Sequence, residues 1–121
     1  MMWFYAQSTG LLRHDDEEVS CGYSGAGTCK NDPAMQHVHN KGPIPRGLYR
    51  LETPRDSNTH GPYVIGLKPS LENAMAGRSA FLIHGDSINE PGAASQGCII
   101  LGRMVRHRMW SSGDHDLEVI S

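Results

Sequence analysis

The sequence predicts a mainly β domain with one short helix near its end. Three observations support this. Gly (14 residues) and Pro (7 residues) are frequent enough to cut the chain into short elements joined by tight turns. Several short runs alternate or are continuously apolar, and Gly, Pro, Asn or Asp bound them. Helical spacing is confined to one segment, Arg103 to Trp110. At 121 residues the chain has the length of one domain, residues 1–121, and can bury a core without disulfides or metal.

The elements follow in order. Met2 to Gln7 is rich in aromatics and reads as a strand, and Ser8-Thr9-Gly10 reads as a turn. The acidic run Asp15 to Glu18 reads as a solvated loop or sheet edge. Residues 25–47 are dense in Gly, Asn, Asp and Pro and read mostly as loop. Gly47 to Pro54 sets Leu48, Arg50 and Glu52 against Tyr49, Leu51 and Thr53, the pattern of a half-buried strand. Asp56 to Gly61 is a turn, and Pro62 to Pro69 is a short strand between prolines. Ser70 to Gly77 predicts one helical turn, with Ser70 as N-cap and Gly77 as stop. Ser79 to Gly85 predicts an apolar strand ending at His84, and Cys98 opens a second apolar run. Arg103 to Trp110 predicts the helix, with Gly113 as terminator, and its packed face is expected to be core rather than a groove. Asp116 to Ser121 alternates as a closing strand.

Composition narrows the function. Hydrophobic residues at 38% and charged residues at 20% argue against wholesale disorder. The formal net charge is −2 and the 11 Lys and Arg are scattered, so no nucleic-acid partner is expected. No apolar stretch approaches a membrane span, so no membrane insertion is expected. The opening residues lack a basic segment and their apolar run breaks at Gln7. The expectation is a protein made in the cytoplasm without a cleaved signal peptide, which stays there or leaves by another route.

There are three cysteines, an odd count. Cys21 and Cys29 flank a flexible Gly-rich turn and either pair or stand as separate thiols. Cys98 is left over in both cases. It lies 14 positions after His84, across a loop rich in Gly, Asn, Pro and Ser. A thiol becomes a nucleophile when a base or cation favours the thiolate, and histidine is the usual partner. The alternative is two ordinary core residues. Gly97 permits unusual dihedrals and a close approach to substrate. The N–H groups of Gly97 and Cys98 are the expected oxyanion donors. Ser95 is expected to hydrogen-bond near the thiolate or substrate, and the Gly85 carbonyl to orient the imidazole. Asp86 either meets a substrate ammonium or orders the turn, and Arg78 either pairs with a substrate carboxylate or is a plain surface residue. His37 and His39 would share a face on a strand, a spacing that can bind metal, but no convincing third ligand accompanies them. Neither a metal nor a cofactor is expected.

His84-Gly85, a loop, then Ser95-Gln96-Gly97-Cys98-Ile99 resembles the active-site signature of L,D-transpeptidases. Taken with YAQSTGLL, GYSGAG, KNDPAMQ, GPIPRGLY, GRSAFLIHGD and ASQGCIIL, the chain resembles the L,D-transpeptidase effectors delivered by type VI secretion. It departs from typical cell-wall enzymes at Gln96, where they carry His, and at Ile100, where they carry Arg; Arg103 is a nearby cation. The resemblance implies a small L,D-transpeptidase-like β-sandwich or barrel with one or two short helices. It implies Cys98 as nucleophile and His84 as proton carrier, acting on peptidoglycan tetrapeptide stems. The terminal D-Ala would be removed, or exchanged for a D-amino acid. Gln96, Asp86 and Arg78 are the expected substrate contacts. The resemblance also implies secretion machinery or an adaptor, action in the periplasm of a target bacterium, and a cognate immunity protein. Two other classes compete: a zinc-dependent peptidase using His37, His39, His84 or Cys98, and a non-catalytic peptidoglycan-binding module.

Overall fold

The computed structural model describes residues 1–121. It is mainly β, with a single α-helix, as the alternating runs predict. Strand β1 (Trp3–Ala6) pairs antiparallel with β2 (Leu11–His14), and β2 pairs antiparallel with β3 (Glu17–Cys21). The acidic run thus supplies the turn and the start of an edge strand. Exposed Glu17 and Glu18 discourage another strand from pairing with that edge. Strand β4 (Tyr23–Ser24) follows, and residues 25–46 form a loop with 3-10 turns at Gly27–Cys29 and Pro33–Met35.

Strand β5 (Gly47–Leu51) buries Tyr49 and Leu51 and exposes Leu48 and Arg50, as a period of two requires. A short β6 (Arg55–Ser57) turns into β7 (Gly61–Pro69). β8 (Leu82–His84) pairs with β7, and β9 (Ile99–Ile100) pairs with β8. Helix α1 (Arg103–Ser111) packs on β7 and β8, and β10 (Asp116–Ile120) ends the fold. The strand order is β3-β2-β1-β10-β5-β7-β8-β9-β4, with β6 on β7. β10 therefore lies between β1, its parallel partner, and antiparallel β5.

One cluster runs through the molecule: Trp3, Tyr5, Leu117 and Val119 at one end, Ile65, Ile83 and Ile99 at the other, with Met109 of α1 packed in. The Trp3 indole donates to Asp114 O (3.0 Å), and His14 stacks on it at 4.0 Å. No helix is long and apolar enough to cross a membrane.

Two elements differ from expectation. Residues 70–77 form turns and no helix. Asn73 explains this: its side chain accepts from Leu48 N–H (3.0 Å) and donates to Leu48 O (2.8 Å), standing in for a strand beside β5. The strand expected from Ser79 to Gly85 is only Leu82–His84, because Ala80 takes a φ of +64° and breaks the extended run.

Candidate functional site

The candidate site is built on the parallel pair β8 and β9. Ile83 faces Ile99 across the ladder, and both are buried in the core. Side chains alternate along a strand, so His84 and, one step ahead of β9, Cys98 turn to the other face. The two are diagonal neighbours there. A strand spacing of about 4.8 Å and a two-residue rise of about 6.6 Å put their Cα atoms about 8 Å apart. Both line one cleft of 1180 Å³, with Arg78, His60, Arg103 and Arg106 on its walls.

His84 is only 3% exposed. Its Nδ1 lies 2.9 Å from Gly85 O. A carbonyl only accepts, so Nδ1 carries the proton and Nε2 keeps the lone pair. Burial pushes the His84 pKa below its ordinary value; His60 and Arg106 push the same way, against the Gly85 carbonyl and Asp86. The ring is a neutral base at neutral pH. A Cβ on Gly85 would lie 3.0 Å from Arg106 Nη1, so the guanidinium would have to shift slightly to admit it. Burial pushes the Cys98 thiol up, while the Leu82 N–H and the Arg78 charge pull it back.

The loop between them is held by two side chains from its own ends. Asp86 accepts from the Tyr23 hydroxyl (2.6 Å), from Ser87 N–H (2.8 Å) and from Gly92 N–H (3.1 and 3.0 Å). Desolvation raises the Asp86 pKa, but Tyr23, these amides and Lys30 outweigh it and hold the carboxyl below its ordinary value. The Tyr23 oxygen in turn accepts from Ala94 N–H (2.9 Å). Ser95 Oγ donates to Cys98 O (2.6 Å) and accepts from Gly97 N–H (3.0 Å) and Gly25 N–H (2.9 Å). Ser24 Oγ donates to Gly97 O (2.8 Å) and accepts from Ile44 N–H (2.9 Å).

The Gly97 N–H, expected to face a substrate, is thus donated to Ser95 Oγ. The Cys98 N–H has no acceptor within the chain. Ser95 itself is 2% exposed and points into the loop. Arg78 donates to the carbonyls of Gln36 (2.6 Å), Pro43 (2.8 Å), Gly42 (2.9 Å) and Gln96 (3.2 Å). Gln96 is exposed on the cleft wall. Cys21 and Cys29 are both free thiols, the first exposed on edge strand β3 and the second buried. His37 and His39 lie in turns, not on a strand, and His39 Nε2 donates to Ala76 O (2.9 Å). No three His, Cys, Asp or Glu side chains are grouped as metal ligands.

Two residues escaped the sequence reading. His60, in a segment read only as a turn, sits with its ring centroid 4.7 Å from that of His84. Arg106, on a helix face read as apolar packing, is 3% exposed and donates to the carbonyls of Leu101 (2.6 Å), Tyr63 (3.1 Å) and Pro62 (3.3 Å). His60 arrives from a separate hairpin, and Arg106 is one of three arginines in its helix, so no local motif marks either.

A family model described as the Tlde1 domain matches residues 18–119. That span runs from β3 into β10 and contains every residue that lines the cleft. No curated protein and no solved structure matches the chain. With most of its length matched, including both ends of the His84–Cys98 loop, the chain belongs to the Tlde1 domain family of type VI secretion effectors.

Proposed function

We propose that residues 1–121 form one catalytic domain, a cysteine L,D-carboxypeptidase or L,D-transpeptidase acting on peptidoglycan tetrapeptide stems. The observation that carries this reading is the shared cleft. A neutral histidine, fixed by Gly85 with its Nε2 lone pair unprotonated, lies diagonally across a parallel ladder from a half-buried thiol. Membership in an effector family supports an antibacterial role, an immunity partner and delivery by secretion machinery.

In this mechanism the Cys98 proton passes to His84 Nε2, and sulfur attacks the carbonyl between meso-diaminopimelate and the terminal D-Ala. The Cys98 N–H, which has no acceptor in the chain, donates to the oxyanion. Collapse breaks the C–N bond, and His84 returns its proton to the leaving D-Ala amine. A thioester remains. Water releases a tripeptide, or the amine of a free D-amino acid resolves the thioester by exchange. Either product depletes the stems that cross-linking in a target periplasm depends on. Gln96 and Asp86 both line the cleft, which supports a role for them in holding the stem.

The test is mass spectrometry of tetrapeptide muropeptides incubated with the protein, with and without a free D-amino acid, beside Cys98→Ala. The expected outcome is loss or exchange of the terminal D-Ala, absent in the variant. Unchanged muropeptides with folded protein would overturn the reading and favour a wall-binding module.

A further inference from the structure

We propose that Arg78 is a positioning residue: its fixed guanidinium clamps the Cys98 loop and supplies the cation beside the Cys98 thiolate. The inference rests on Cys98 being the nucleophile. Arg78 is 7% exposed, and a buried cation ordinarily has a carboxylate partner. The chain's ion pairs are His14–Asp114, Arg50–Asp116 and Arg108–Glu17, so Arg78 is in none of them. It spends its fork on four backbone carbonyls. Nη2 alone holds Gly42 O and Gln96 O, which ties the 36–43 loop to the residues just ahead of Cys98. The guanidinium also lies over the Phe81 ring, 5.1 Å from its centroid.

Gly97 shows how tight this seat is. A Cβ at Gly97 would come within 2.5 Å of Arg78 Nη2. The cation therefore rests against the residue that precedes the thiol.

Carbonyl dipoles satisfy the N–H groups but leave the net positive charge in place. The groups that face Cys98 are Arg78, the Leu82 N–H and, across the cleft, His84. His84 faces His60, Arg106 and Asp86, and is held neutral. Tyr49, beside Arg78, is buried and keeps its proton. Arg78 is thus the full charge next to the sulfur. Only arginine combines a permanent charge with enough donors in one plane for four carbonyls. With all four Nη hydrogens given to backbone carbonyls, the fork that would grip a substrate carboxylate is spent, and Arg78 acts through Cys98. It neither gains nor loses a proton: the thiol proton goes to His84 Nε2 and the electron pair stays on sulfur.

The test is the pH dependence of Cys98 alkylation by iodoacetamide, read by peptide mass mapping so that Cys21 and Cys29 are scored separately. In Arg78→Gln the midpoint is expected to rise by about one pH unit or more, and the alkylation rate at neutral pH to fall about tenfold. Arg78→Lys, which keeps the charge and loses the fork, should recover part of that shift. His84→Ala should move the midpoint by less than about half a unit, because it removes no charge. A midpoint unchanged in Arg78→Gln, or raised by a full unit in His84→Ala, overturns the proposal. If circular dichroism shows that Arg78→Gln does not fold, the His84→Ala and Arg78→Lys arms decide it. Alkylation needs no muropeptide, so an inactive enzyme and a wrongly assigned cation give different results.

Discussion

Gly97 has a φ of +135°, and an added Cβ would meet both Arg78 Nη2 at 2.5 Å and Phe81 Cε1 at 2.8 Å. Gly97→Ala therefore combines backbone strain with overpacking, and should cost about 2–4 kcal/mol in a urea melt. Ser95→Ala works by a different route. It leaves the buried Gly25 and Gly97 amides without an acceptor, for about 1–3 kcal/mol. The pH response follows from His84. Its pKa lies below 6.5 in the fold and near 6.5 in the unfolded chain, so the unfolded state takes up the proton first. Stability from this group is complete above the unfolded value and declines as pH falls through it. The proposed activity on muropeptides should likewise show an acid limb with its midpoint below pH 6.5; a rate profile at saturating and limiting substrate reads it. Cys98 and His84 were legible because one loop joins them, whereas the inward role of Ser95 depends on Gly25, which only the fold brings near.

The β6–β7 hairpin carries His60 to within 4.7 Å of the His84 ring. Both the cover that this ring gives and its charge lower the His84 pKa, so His60→Ala acts on both in one direction. The acid limb should move toward pH 6.5 in that variant, as measured by the same rate profile. Alternation located β5 and β10, aromatics β1, flanking prolines β7 and helical spacing α1, because each of these signals is written in neighbouring residues. Residues 70–77 have helix-compatible composition, and their turn exists because Asn73 is consumed by Leu48, a partner distant in sequence. A pattern read along the chain has no access to such a partner. The same limit hid Arg106, whose acceptors lie on the strand and loop that α1 covers.

At the scale of the molecule, the cleft lies toward the β8-β9 end of a sheet that shares one core with β10. Leu117 on β10 is fully buried between Trp3 and Tyr49. Leu117→Ala should cost about 2–4 kcal/mol, lowering the urea midpoint with little change in slope. The parallel pairing of Trp3 with Leu117 has a further consequence, in time. A nascent chain leaves the ribosome from its N-terminal end, so β1 and β5 are made long before the strand that must sit between them. Until Asp116–Ile120 emerges the sheet has a gap between β1 and β5, and the core lacks Leu117 and Val119. Closure across nearly the whole chain is also slow compared with local pairing. Chains still in synthesis therefore lack the strand that joins β1, β2 and β3 to the rest of the sheet, and the full sheet closes only once this segment has been made.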